Sequence, residues 1–296
     1  MQLFEDKPMN FDAWDIDIYY QEKKTDIRFS GTTVTENNEL FADVTSNAVF
    51  GQSKLTQKMR VYKHSRRIDF ITDVDWCEHQ RLLKVKFDVN VRSTKALYDI
   101  QYGNVERPTH WNTSWDMAKF ETVGHQWADL SEHGYGVGLL NDCKYGYDIK
   151  DNQMRLSLLK GGIYPDPNAD IGKHHFIYSL LPHKGDFIEG KVIEEAWELN
   201  ATPFLVTDGQ EFIPEISIDS SEPVMVSALK KAADGDGWIL RINNVTGGKQ
   251  SIKITSCSKF NLRETNLMEK NTEICYKADT DIELQAYEVK TIRLTK

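Results

Sequence analysis

The sequence lacks any pattern that would commit its cysteines. Only Cys77, Cys143, Cys257 and Cys275 occur, with no C-x-x-C pair and no zinc-ribbon spacing. They read as free thiols of a reducing compartment, which points to the cytoplasm. The N-terminus, Met1 to Pro8, has no basic stretch leading into an apolar run, so no secretory leader is expected. Without a leader, the glycosylation sequons at Asn112, Asn200 and Asn244 carry no weight. No apolar run approaches bilayer-spanning length, which argues against a helical membrane protein. Positive charge is short as well: 36 Lys and Arg face 45 Asp and Glu, a net charge of −9. Such a surface repels phosphate backbones and anionic headgroups, so general affinity for nucleic acid or membrane is not expected. A neutral or cationic small molecule fits better.

Hydrophobic residues make up 40% of the 296 and aromatics 11%, enough for real cores and for two domains or one large sandwich. Helical periodicity is scarce and alternation with a period of two dominates. In Ile68 to Trp76, positions 68, 70, 74 and 76 are apolar with Thr72 between them, which predicts a strand with one face on a core. Lys84 to Val91 repeats this with Val85, Phe87, Val89 and Val91 inward. The polar stretch Cys77 to Arg81 between the two is short enough for a hairpin. Ala96, Tyr98, Ile100 and Tyr102 continue the alternation, as do Met154, Leu156 and Leu158. Glu194 to Leu199 is the best short helix, ended by Ala201-Thr202-Pro203. Beyond it, turn signals come faster, including Asp208-Gly209, Asp234-Gly235-Asp236-Gly237 and Gly247-Gly248. The expected fold is all-β: a large antiparallel sandwich over 1–202 and a smaller C-terminal sandwich over 203–296.

The middle of the chain carries a recognisable run. Arg107 to Asp116 reads RPTHWNTSWD, followed by Ala118-Lys119-Phe120-Glu121, Gln126 to Glu132 and Tyr135 to Tyr147. With Phe11 to Ile16, Tyr178 to His183 and Leu229 to Ala232, it resembles the cytosolic and bacterial α-mannosidases of glycoside hydrolase family 38. The resemblance spans essentially the whole chain. It implies an enzyme with a zinc-containing α/β barrel, a helical bundle and then β-sandwiches. In that family zinc holds the mannose ring, one carboxylate attacks the anomeric carbon and another acid protonates the leaving oxygen. By this resemblance those groups would lie upstream of the part represented here, and the first residues resemble a point already inside the central sandwich. The resemblance therefore implies a non-catalytic C-terminal portion with no cofactor and no metal ligands of its own. Its partners would be the missing barrel and a mannose-containing oligosaccharide. Apolar surface that the barrel would cover gives the chain a tendency to associate as a homo-oligomer.

Five residues are singled out as substrate-binding candidates, and none as catalytic. His110 and Trp115 sit in the Arg107 to Asp116 segment, where aromatic faces and planar polar groups suit a sugar; packing at a domain interface is the competing role. Asn141, Asp142 and Tyr145 belong to the Asn141 to Tyr147 loop, the densest mixture of sugar-compatible groups. Gly146 would let that loop turn tightly, and a hairpin with a solvated tip is the alternative. His174, His175 and His183 suggest a metal only weakly, since neighbours in a strand point to opposite faces. Cys143 has no nameable histidine partner and Asp234 to Gly237 reads as a turn. Two other functions remain open. An aldose epimerase-like sandwich would need a histidine acid and a carboxylate base, such as His110 and Asp116 or His175 with a distant Glu. A carbohydrate-binding module would need no chemistry.

Overall fold

The computed structural model describes residues 1–201, 203, 209, 216–256 and 260–296. Cys257 and most of the stretch Asn200 to Asp208 lie outside them. The chain divides into two compact units, Met1–Asp99 with Val105–Thr202, and Ile100–Asn104 with Pro203–Lys296.

The first unit is built on two antiparallel sheets. In spatial order the nine-stranded sheet runs Ser30–Asn37, Phe41–Phe50, Ser53–Tyr62, Ile68–Trp76, Gly172–Lys184, Tyr135–Asn141, Trp127–Glu132, Lys95–Ile100 and Gly103–Pro108. The six-stranded sheet runs Thr122–Val123, Gly146–Lys150, Gln153–Lys160, Arg81–Asp88, Gln2–Glu5 and Lys24–Asp26. The inward residues of the alternating segments form one core: Val74, Trp76, Val85, Val89, Val91, Ala96, Tyr98, Met154, Leu156 and Leu158 are all buried in it. Phe87 packs on its edge. The alternation ends sooner than expected at Tyr102, which leaves the strand and takes a left-handed φ of 56°. At Ser157 to Leu159 a register shift lets Leu158 and Leu159 both point into the core.

Two short connections differ from the sequence expectation. Ile68–Trp76 lies in the nine-stranded sheet and Arg81–Asp88 in the six-stranded one, so Cys77 to Gln80 crosses between layers and is no hairpin. The Asn141 to Tyr147 loop makes the same kind of crossing, from Tyr135–Asn141 to Gly146–Lys150.

Two helices cover parts of the first unit. One, α1 (Ser114–Met117), is a single turn closed by a capping box between Thr113 and Asp116. The other, α2 (Val192–Asn200), packs Val192, Ile193 and Ala196 inward over Tyr135–Asn141 and Trp127–Glu132. It begins two residues before the predicted segment and ends one after it.

The second unit pairs a three-stranded sheet (Ile216–Ser220, Gln250–Ser256, Asp281–Leu284) with a five-stranded one (Val224–Lys231, Trp238–Asn244, Val289–Thr295, Asn261–Thr265, Asn271–Tyr276). Leu240, Ile242, Ile252, Ile254, Ile282, Ile292 and Leu294 fill the space between. Asp234 to Gly237 is a turn, with Gly235 and Gly237 at positive φ and Arg293 holding the Asp234 carboxylate at 2.8 Å. No helix among the described residues is long and apolar enough to cross a membrane.

Candidate functional site

At the end of Tyr135–Asn141 the backbone leaves the nine-stranded sheet, and the Asn141 side chain fixes its exit. The Asn141 amide donates to His125 O (2.8 Å) and Tyr147 Oη (2.6 Å), and its oxygen accepts Lys144 N–H (2.6 Å). Both donors are committed, so Asn141 shapes the loop from within. The Asn200 amide, at the end of α2, donates to Asn141 O (3.0 Å) and pins the helix there. Asp142 extends the sheet with its side chain. Its N–H donates to Ile177 O (3.0 Å) while its Oδ2 accepts Ile177 N–H (3.0 Å).

A cavity of about 500 Å³ opens here, lined by Val123, His125, Gln126, Asn141, Asp142, Tyr145 and Asn200. Three of the five sequence-predicted residues therefore meet in one place. Tyr145 is 53% exposed and stands edge-on to His125, with ring centroids 5.9 Å apart. Asp142 Oδ1 is buried without a hydrogen-bond partner among the described residues, which leaves an acceptor whose desolvation is not offset. Below the rim, Asp99 accepts Gln126 N–H at 2.9 Å, and burial pushes its carboxyl up to about 6. Burial and the adjacent Asp142 push the Cys143 thiol up to about 11, which keeps it protonated and makes it a poor nucleophile at neutral pH. Gly146 does not turn the loop as expected. It has no positive φ, and a Cβ there would come within 3.1 Å of Ser157, so the glycine serves close strand packing.

The other two predicted residues lie elsewhere. His110 lines a separate polar cavity of about 530 Å³ with Arg92, Glu132 and Asp151. Trp115 is 81% exposed on α1. Nδ1 of His110 comes within 3.6 Å of Asp116 Oδ2, but Asp116 is engaged in the capping box, with Thr113 Oγ1 donating to it at 2.9 Å. An epimerase base would have to be free to take a proton. His175 pairs with exposed Asp73 at 2.8 Å, His174 Nε2 meets Asp170 O at 2.6 Å, and His183 is buried against Asp129 at 2.7 Å. These histidines do not converge, and among the described residues no group of three or more His, Cys, Asp or Glu gathers to hold a metal.

Two buried ionic clusters escape sequence reasoning. Lys84 was expected on the solvated face of its strand. The 3₁₀ helix Ile18–Glu22 and the Phe120-Glu121 segment cover that face, and Lys84 is wholly buried. Its ammonium meets Glu121, donates to Tyr20 Oη at 3.1 Å and lies 3.5 Å from Asp148, which Arg155 also holds at 2.6 Å. Burial pushes the Tyr20 hydroxyl and the Glu121 carboxyl above their ordinary values. The second cluster joins His183, Asp129 and Ser131 on the α2 side of the nine-stranded sheet. Gly136 and Gly190 bracket the imidazole so closely that a Cβ on either would lie 2.4 Å or less from its ring. No substrate could enter, so this serine–aspartate–histidine set is structural. Only the glycines at 136 and 190 hinted at it.

Two stretches of the chain match known families. Residues 1–168 match the glycosyl hydrolases family 38 C-terminal domain, and 223–292 match the family 38 C-terminal beta sandwich domain. Alpha-mannosidase G of Dictyostelium discoideum is 37% identical over 98% of this chain and 28% of its own length. Human alpha-mannosidase 2C1 is 40% identical over 78% of this chain and 23% of its own. The chain thus spans about a quarter of the length of these relatives. An alpha-mannosidase from Enterococcus faecalis V583 shares the fold over 99% of this chain and 38% of that one, with a TM-score of 0.80 at 15% identity.

Proposed function

The chain belongs to glycoside hydrolase family 38, as the C-terminal region of an α-mannosidase, and from that premise we propose that it completes the substrate pocket of an enzyme removing α-linked mannose from oligosaccharides. The observation that carries this reading is the cavity lined by Asn141, Asp142 and Tyr145, at whose wall the Asp142 carboxylate keeps one buried oxygen without a partner among the described residues. The Asp142 carboxylate would accept a sugar hydroxyl and Tyr145 would form a stacking and hydrogen-bonding wall of the pocket with its ring and hydroxyl, while Asn141 holds the loop. None of them acts as acid, base or nucleophile. The acid, the nucleophile and the zinc would come from a catalytic barrel on the same polypeptide, since the described residues offer no ligand set for zinc.

A docking face for that barrel also suggests itself. Phe11, Trp14 and Tyr164 are 55, 67 and 57% exposed yet pack on one another, Phe11 lying 5.8 Å from Trp14 and 6.1 Å from Tyr164. Buried Asp12 accepts the N–H groups of Ile163 and Tyr164, both at 2.8 Å, and so fixes the rings in place. A rigid aromatic cluster is what an interface uses as an anchor. Uncovered, it would let isolated copies associate. The sandwich over 1–202 would do this work, with 203–296 a separate supporting domain. The free thiols Cys77, Cys143 and Cys275 favour a cytoplasmic location.

The decisive test is Asp142→Asn, Asp142→Ala and Tyr145→Phe in the full-length enzyme. Asp142→Asn keeps an acceptor for Ile177 N–H while replacing the unpartnered oxygen by an amide. Each variant is expected to lose about tenfold in kcat/KM on a mannoside, roughly 1.4 kcal/mol, with the melting temperature nearly unchanged in Asp142→Asn and Tyr145→Phe and lowered in Asp142→Ala, which also strips Ile177 N–H of its acceptor. Unchanged kinetics in all three would remove the loop from the site, and parallel losses of stability and activity in Asp142→Asn and Tyr145→Phe would make it structural. The isolated chain is expected to release no p-nitrophenol from p-nitrophenyl α-mannoside and to retain no stoichiometric zinc. Turnover by a preparation free of host mannosidase would overturn that expectation.

A further inference from the structure

The strand Trp127–Glu132 connects two different cavities. Gln126, just before it, lines the Asn141 cavity, and Glu132, its last residue, lines the cavity that contains His110. Gly146–Lys150 runs the same way, with Tyr145 before it and Asp151 after it. The two cavities therefore lie at opposite ends of the sandwich, roughly 20 Å apart at about 3.3 Å per strand residue. Loops of a β-sandwich gather at these two ends, where sites are built.

We propose that the His110 end binds a neutral oligosaccharide. Four connections converge there: 90–94, 109–110, residue 132 and the turn at 151–152. Their free groups are mixed in kind. No described residue supplies the Arg92 guanidinium with an acceptor, while the Arg92 backbone N–H donates to Glu132 Oε2 at 2.7 Å. Asn90, Asp151 and the His110 imidazole add an amide, a carboxylate and a ring nitrogen to the same lining. Every lining residue except Val91 carries a polar or charged side-chain group, which disfavours a lipid or a drug-like aromatic ligand. Glu132 and Asp151 disfavour a polyanion. Paired donors and acceptors without a dominant charge suit the vicinal hydroxyls of a sugar. Asp116, next to the His110 ring, brings α1 to this end, and α1 presents the exposed Trp115 as an aromatic surface for sugar C–H groups. His110 and Trp115, which the Asn141 cavity leaves out, thus belong together in another site. The inference rests on the family and on this geometry, independently of what the Asn141 loop does.

The test uses the whole 296-residue chain titrated with linear α-mannotriose and, as the anionic control, trigalacturonate, followed by calorimetry and by the His110 ring proton signals. Expected is saturable mannotriose binding with Kd on the order of 1 mM, with the His110 signals shifting on saturation. Arg92→Ala and Trp115→Ala alter exposed side chains and should leave the fold intact; each is expected to weaken binding about tenfold. The double variant Asp142→Ala/Tyr145→Phe is expected to stay within about twofold of the parent, since its positions lie at the opposite end. Binding lost in the double variant but kept in Arg92→Ala and Trp115→Ala would overturn the proposal, as would no saturation at tens of millimolar. Trigalacturonate binding as tightly as mannotriose would overturn the neutral class of ligand. Failure of the Asn141 loop in the kinetic test would leave these outcomes unaffected.

Discussion

Lys84→Ala is expected to destabilise the first unit by about 3–5 kcal/mol, the cost of leaving buried charge without its partner. The Lys84 side chain has no solvent exposure, and Asp148 and Glu121 retain only 3 and 14%. Removing the ammonium leaves Asp148 with Arg155 and Glu121 with only the Tyr20 hydroxyl as a donor, and Glu121, already raised by burial, would move further from its ordinary range. Lys86→Ala provides the comparison two residues away. Its pair with Asp88 at 2.6 Å is partly solvated, and such pairs contribute about 0–1 kcal/mol. Urea unfolding of both variants separates the cases. A Lys84→Ala midpoint indistinguishable from that of Lys86→Ala would mean that water reaches the cluster and that the burial argument fails.

Asp129→Ala should be comparably damaging, and its effect should depend on pH. His183 and Asp129 sit 2.7 Å apart with 1 and 0% side-chain exposure. Burial alone would lower the imidazole, but the hydrogen bond and charge of Asp129 outweigh it and hold His183 above its ordinary value. A histidine raised in the folded state stabilises most fully below its unfolded value of about 6.5, and that contribution fades as pH rises through the folded value. The gap between parent and Asp129→Ala is therefore expected to be about 3–5 kcal/mol near pH 6 and to narrow toward pH 9. A gap independent of pH over that range would show that His183 stays neutral.

Much of the fold was legible because alternation reports which face of a strand is buried. Val85, Val89, Met154 and Leu156 were placed inward from sequence and are in the core. Alternation does not report which sheet a strand joins. Cys77 to Gln80 and Asp142 to Tyr145 are both short enough for a hairpin, yet each crosses the sandwich, because strands of either sheet can turn their apolar face to the same core. Nor does it report what covers the opposite face. Lys84 reads as solvated until Tyr20, sixty-four residues away, closes over it. Asp69 reads as solvated until Ser179, from the neighbouring strand, donates to it at 2.7 Å and Arg67 reaches it from the α2 side at 2.8 Å. At the candidate site, composition located the Asn141 loop but could not divide its labour. Asn141 and Asp142 look equivalent in sequence, while in the fold one has both amide donors occupied and the other keeps a free oxygen. His110 and Trp115, read from a separate segment as candidates for the same substrate, lie away from that loop, and sequence carries no measure of which end of a strand a residue occupies.

The outer strand Ser30–Asn37 is exposed along its whole length and pairs on one side only, with Phe41–Phe50. Such an edge is a template onto which a stray strand can polymerise. Here the ladder slips between Ser30 and Thr33 and again between Val34 and Glu36, so an incoming strand would lose register within a few residues. Val34 is the single apolar side chain it would meet. The six-stranded sheet ends instead in Thr122–Val123 and Lys24–Asp26, two and three residues long, too short to nucleate a fibre. At these three borders of the first unit, strand-by-strand, amyloid-like growth finds no long regular edge to start from.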